Sequence, residues 1–226
     1  MNVTAVVVAG GGRGEVDALT TVGGEPMVVR SVRSLLATGL IDHVVLLDVD
    51  ARPDALMSAC SGLPVSTRSA LAHALSGIGP HVGQRAGTTA GDGPVTAGSA
   101  DVVLLHEAAR PFAPAALATT VVTAVRDGHE MAVPVLPLVD TVKQVDAAGL
   151  VQATPDRSGL RVLQTPLAVR GDLFDPLLAP EPLELARRHA AAGGAVHTVP
   201  GHSAAFPVRS AWDLELAELL AGRDDG

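Results

Sequence analysis

The sequence predicts an α/β fold: a doubly wound, mostly parallel sheet from which a β-hairpin arm protrudes. Two observations carry the sheet and a third carries the arm. Val3–Val8 and Asp101–Leu105 are short, continuous, largely apolar runs, as expected of strands buried on both faces of a parallel sheet. Helix-spaced stretches alternate with such runs along most of the chain, the pattern of helices covering both sides of a sheet. Between Asp140 and Ala153 that alternation stops, and Thr141, Val142, Val145 and Val151 flank the turn sequence Asp146-Ala147-Ala148-Gly149.

Taken in order, Val3–Val8 opens into Ala9-Gly10-Gly11-Gly12 and reads as the first parallel strand. Pro26–Thr38 places Val28, Val29, Val32, Leu35 and Leu36 on one helical face, with Pro26 suited to the first turn and Gly39 to the stop. His43–Leu47 is a second strand, Pro53–Cys60 a short helix, Leu63–Val65 a strand and Ser69–Leu75 another helix. Residues 76–100 contain seven glycines with Pro, Thr and Ser between them, which predicts a flexible surface loop. Asp101–Leu105 is the third buried strand, Pro114–Arg126 a helix and Met131–Val135 a strand. After the hairpin come helical segments at Ala168–Leu178 and Leu183–Ala192, a strand at Ala195–Val199, a last helix at Trp212–Leu220 and a frayed tail from Arg223. The 226 residues suffice for one core, so the expectation is one domain over residues 1–226, with the arm at about 139–159.

Composition narrows the function. Aromatic residues are 2 % of the chain and tyrosine is absent, which removes the stacking platforms on which single-stranded nucleic acid is usually bound. The net charge of −8 opposes a phosphate backbone, so nucleic acid is not an expected partner. Cys60 is the single cysteine, compatible with a reducing cytoplasm and read as a small buried apolar side chain. No apolar run reaches membrane-spanning length, and no membrane association is expected. Lys143 is the one lysine among 16 basic residues.

Ligands of such sheets bind beyond the carboxyl ends of the strands, so residues that follow strands carry most weight. At the first strand, Ala9, Gly10, Gly11 and Gly12 would let backbone N–H groups approach phosphate oxygens, and Arg13 could add a charged fork. At the third, His106-Glu107-Ala108-Ala109-Arg110-Pro111 offers a carboxylate able to hold Mg²⁺ and an arginine able to pair with phosphate, separated by small residues. His106 has no second histidine at metal spacing and is read as structural.

The run His106-Glu107-Ala108-Ala109-Arg110-Pro111-Phe112, then Asp140-Thr141-Val142-Lys143, Asp156-Arg157 and Gln164-Thr165-Pro166, resembles the 2-C-methyl-D-erythritol 4-phosphate cytidylyltransferases of isoprenoid precursor synthesis. The glycine turn, and Val199-Pro200-Gly201 through Trp212-Asp213-Leu214, extend the likeness over nearly the whole chain. The resemblance implies a Rossmann-like nucleotidyltransferase fold, a homodimer formed through the arm, and transfer of CMP from CTP to a sugar or polyol phosphate with Mg²⁺. It implies nucleotide binding by Ala9, Gly10, Gly11, Gly12, Arg13, Arg68 and Glu107, with Arg68 near the cytosine. Glu107 is the implied metal ligand, standing where the family has Asp, and Arg13 and Arg110 the implied catalytic cations. Arg110, Thr141 and Arg157 are implied to bind the sugar phosphate, the last two reaching the partner subunit's site.

The likeness departs from the family at four places. Asp17 stands where a lysine follows the glycine turn, and Pro207 falls at or beside a second lysine. Leu71 replaces a serine, and an acidic element is reduced to Leu183–Arg187 with Glu184 retained. Arg13 or Arg209 could compensate. Two readings follow: an active cytidylyltransferase in which arginine replaces lysine, or a non-catalytic paralogue that serves as a nucleotide-binding or regulatory module. A related nucleotidyltransferase for molybdopterin or wall polyols shares the glycine opening but leaves the arm unexplained. If the lineage reading holds, Asp17→Lys with Pro207→Lys should raise any residual activity.

Overall fold

The structure is a computed structural model that describes residues 1–10, 16–69, 100–175 and 181–224. Its centre is an eight-stranded sheet. Strand β1 (Val3–Ala9) lies between β4 (His43–Asp48) and β6 (Val102–Glu107), and β5 (Val65–Ser69) pairs with β4 at one edge, all in parallel. The strand on the other side of β6 is β11 (Leu167–Arg170), which runs antiparallel both to it and to β7 (Met131–Pro137). Strand β7 also carries β10 (Arg161–Leu163), antiparallel, and β12 (Val196–Pro200), parallel. The doubly wound, mostly parallel sheet expected from the sequence is therefore present.

Alternation along each strand divides the apolar side chains between two faces. Val3, Ala5, Val7 and Ala9 of β1, with Val44, Leu46, Val102 and Leu104, pack under α1 (Met27–Leu36), α2 (Pro53–Ala59) and α3 (Ala115–Arg126). Val6, Val8, Leu47, Val103, Leu105 and Met131 form the opposite face, covered by Leu185 and Ala186 of α4 (Pro182–Ala191). Pro26 and Pro114 sit at the N-caps of α1 and α3 in extended backbone, where the lack of an N–H costs nothing. A two-residue hairpin, β2 (Thr21–Val22) with β3 (Glu25–Pro26), leads into α1. The last helix, α5 (Ala211–Asp224), buries Ala217 and Ala221 against Val22 and Met27 and leaves Trp212 exposed.

Several expectations change. Ala168–Leu178 does not begin as a helix: Leu167–Arg170 is a strand and Gly171–Leu173 a single 3₁₀ turn, while residues 176–180 lie outside the described residues. The slot between β6 and β7 demands a segment buried on both faces, and Leu167, Ala168 and Val169 fill it at 0 % exposure; tertiary context overrides local propensity. Strand β5 extends to Ser69, where a helix was expected to begin, and residues 70–99, with nearly all of the glycine-rich loop, lie outside the described residues. The last helix continues through Arg223 and Asp224 instead of fraying there. The arm hairpin is present but narrow, β8 (Gln144–Val145) against β9 (Val151–Ala153), closed by Asp146 Oδ1 accepting the N–H groups of Ala148 and Leu150 and by Gly149 at φ +80.

Candidate active site

Strand β6 ends at Glu107, beside the end of β1. Both oxygens of the Glu107 carboxylate are engaged: Arg110 Nε donates to Oε2 at 2.7 Å and Arg209 Nη2 to Oε1 at 2.6 Å. Burial pushes the Glu107 carboxyl up, but Arg110 and then Arg209 outweigh it and hold the group below its ordinary range, so it is ionised at neutral pH. Arg110, expected as a cation touching substrate, is 4 % exposed, with Nη1 donating to Ala205 O at 2.7 Å. Its geometry makes it the group that orients Glu107.

The turn that follows β6 is held from two sides. Ser31 and Ser34 of α1 donate to Ala108 O and Ala113 O, and Val208 N donates to Ala109 O at 2.7 Å. Gln164 spans the gap to residues 201–205: its Nε2 donates to His202 O at 2.9 Å and its Oε1 accepts from His202 N at 2.9 Å. Thr165 Oγ1 accepts the Glu107 N–H at 3.1 Å and lies 3.3 Å from His106 Nδ1. His106 is fully buried, which lowers its pKa to about 4 and keeps it neutral, able to accept a hydrogen bond from the Thr165 hydroxyl. The structural reading of His106 stands, and its role is to fix the strand end.

At the neighbouring end of β1, Gly10 adopts φ +124, and a Cβ there would stand 2.5 Å from Asp50 Oδ2; only glycine fits. Ala9 is buried at the end of the strand, while Gly11, Gly12 and Arg13 lie outside the described residues. The segment after β4 supplies charges that the sequence reading missed. Asp48 is 1 % exposed, its Oδ1 accepts Asp50 N, and its Oδ2 has no partner among the described residues. Ala51 adopts φ +56, a costly conformation for a residue with a Cβ, between Asp50 and Arg52. Arg52 pairs with Asp17 Oδ2 at 2.9 Å and Asp50 Oδ2 at 3.2 Å. The signal was available: Asp48-Val49-Asp50-Ala51-Arg52 follows a buried strand as His106–Arg110 does.

Asp17, read from sequence as a charge reversal, has a structural task. Its Oδ1 accepts the N–H groups of Leu19 at 2.8 Å and Thr20 at 3.0 Å, closing the turn before β2. Burial raises its pKa, but the Arg52 hydrogen bond and the Leu19 N–H outweigh that and hold it below the usual carboxylate range. Asp17→Lys is therefore expected to lower stability by about 1–2 kcal/mol, through loss of the turn and a like charge facing Arg52, and to leave turnover no higher. Urea unfolding and an activity assay on the same preparation check this; raised activity with unchanged stability would restore the charge-reversal view.

The remaining predicted residues lie apart from this centre within one chain. Arg68, on β5, donates to Thr67 O at 3.1 Å. Thr141 and Arg157 are exposed in the arm, where Arg157 Nη1 donates to the carbonyls of Val139 and Asp140. Among the described residues no group of three His, Cys, Asp or Glu side chains could hold a metal. A magnesium ion arriving with nucleotide phosphates does fit, because such ions commonly take one or two carboxylates and complete their shell with phosphate and water oxygens. Glu107, at the end of β6, is the carboxylate that would hold it. No helix among the described residues is long and apolar enough to cross a membrane.

Comparison with known proteins identifies the family and the fold. A family model described as 2-C-methyl-D-erythritol 4-phosphate cytidylyltransferase matches residues 3–223. A protein of that description from Frankia casuarinae is 39 % identical over 98 % of this chain and 82 % of its own length, and one from Saccharopolyspora erythraea is 38 % identical over 97 % and 99 %. Among solved structures, a 4-diphosphocytidyl-2C-methyl-D-erythritol synthase from Anaerococcus prevotii shares the fold at a TM-score of 0.73, with 18 % identity and coverage of 98 % of this chain and 99 % of that one. By sequence along its whole length and by the architecture of its sheet, the chain belongs to the 2-C-methyl-D-erythritol 4-phosphate cytidylyltransferase family.

Proposed function

We propose that this protein transfers CMP from CTP to 2-C-methyl-D-erythritol 4-phosphate, or to a closely related sugar or polyol phosphate, in isoprenoid precursor synthesis. A phosphate oxygen of the acceptor attacks the α-phosphorus of CTP, the bond from that phosphorus to the bridging oxygen of the β-phosphate breaks, and pyrophosphate leaves. The observation that carries the reading is the ionised Glu107, fixed by Arg110 and Thr165 at the carboxyl end of β6, beside the glycine turn that ends β1. A magnesium ion held by Glu107 would neutralise phosphate charge and polarise the reacting phosphoryl group.

The chain's own groups do the rest by positioning, which is most of what phosphoryl transfer requires. Backbone N–H groups from Ala9 through Gly12, with Arg13, are assigned to the triphosphate, and Arg68 to the side of the base. Arg110 positions Glu107, and Arg209 is the exposed cation beside it. The non-catalytic reading draws on both missing lysines, at Asp17 and at or beside Pro207. Pairing with Arg52 offsets the charge of Asp17 and weakens the objection at that position.

Thr141 and Arg157 are assigned to the acceptor phosphate bound by a second copy of the chain. The arm supports a homodimer because Val139, Val145, Leu150 and Val151 are each more than half exposed, apolar surface that a partner would cover. Val151→Asp is expected to shift the protein toward monomer in light scattering and to lower turnover; an unchanged dimer mass would count against the arm as the contact. The function itself is tested by Mg²⁺-dependent pyrophosphate release from CTP with the erythritol phosphate. Absence of turnover by folded protein across a panel of nucleotides and sugar phosphates would overturn it.

A further inference from the structure

The two ion pairs on Glu107 are unequal. The Arg110 side chain is 5 % exposed and anchored at its far end by Ala205 O, so it cannot leave without stranding a buried charge. Arg209 is 52 % exposed, and Glu107 Oε1 is the one side-chain partner of its guanidinium among the described residues. Its root, by contrast, is fixed: Asp213 Oδ2 accepts the N–H groups of Arg209 and Ser210 at 3.0 and 2.9 Å. A rigid base with a solvated head describes a side chain that can change partners without burying its own charge, while the largely buried Glu107 keeps Arg110 as its inward partner.

Charge counting gives the direction of the exchange. Glu107 with two guanidinium groups carries a net charge of about +1, so a free divalent cation must compete with Arg209 for Oε1 against like charge. A triphosphate reverses that balance, because its oxygens offer the displaced guanidinium a stronger, forked partner. We propose that Arg209 is an exchangeable counter-ion of Glu107. It occupies Oε1 until a metal-bound nucleoside triphosphate arrives, then yields that oxygen to the metal and pairs with the phosphates. This rests on the nucleotidyl-transfer reading of the site. It gives the protein a means of refusing free metal while accepting the metal–nucleotide complex.

The test is the effect of Arg209→Gln on two ligands that a structural role would move together. Mn²⁺ binding without nucleotide, read by the resonance of free Mn²⁺, should tighten roughly three- to ten-fold in Arg209→Gln, whereas the KM for CTP should rise about ten-fold. Arg209→Lys, which keeps the charge, should hold Mn²⁺ affinity near the wild-type value, and Glu107→Gln should remove the tightening. Melting temperatures establish that each variant is folded. Mn²⁺ affinity unchanged or weakened in Arg209→Gln overturns the exchange, as does binding insensitive to Glu107→Gln. Wild-type turnover with CTP separates the two claims. Turnover with no change in Mn²⁺ affinity sinks the counter-ion alone, and tightening without any wild-type turnover supports the counter-ion while sinking cytidylyl transfer.

Discussion

Arg110→Ala is expected to destabilise the protein by about 3–5 kcal/mol and to abolish measurable turnover, because Arg110 is a buried cation paired with a largely buried carboxylate. Its removal leaves the carboxylate of Glu107 without its inward partner and Ala205 O with only the longer bond from Gln164 Nε2 at 3.3 Å. It also frees Glu107 to rotate away from the strand end. Arg110→Lys should recover little of either property, since an ammonium cannot serve Glu107 and Ala205 with the same planar fork. Denaturant unfolding followed alongside pyrophosphate release measures both effects. A stability loss below about 1 kcal/mol would show that the guanidinium is solvated and not the orienting group described here.

The second large effect is expected from Glu107→Gln, which preserves shape and removes charge. Turnover should fall roughly 10²- to 10³-fold, the scale of losing one charge-stabilising group at a reacting phosphoryl centre. Stability should fall less than in Arg110→Ala, since the amide oxygen still accepts from Arg110. The pH profile adds a check. The folded pKa of Glu107 is depressed, so its ion pairs are intact above the ordinary carboxylate value of 4.5 and are lost only as pH falls through the lower folded value. Activity should therefore show no loss from this group between neutrality and pH 4.5. Near-wild-type turnover in Glu107→Gln would remove the residue from metal binding.

What could be read in the sequence was what depends on neighbours along the chain. Strands β1 and β6 were legible because burial on both faces makes their residues apolar without a break, and the strand-end rule then singled out Glu107 and Arg110. Strand β11 was missed because four residues carry no period, and only the gap between β6 and β7 makes them a strand. The reach of Arg209 to Glu107 crosses 102 positions and that of Arg52 to Asp17 crosses 35, so neither pair leaves a local trace. The direction of the Arg110 head was not legible either: a sequence gives a residue at a sheet edge but not that its guanidinium reaches Ala205 O.

The exposed Trp212 gives the active site its own optical reporter. It is the only tryptophan, and with no tyrosine in the chain the ultraviolet emission of the native protein comes from this indole, three residues from Arg209 and next to Asp213. Movement of that segment during ligand exchange would register as a change in emission without any label.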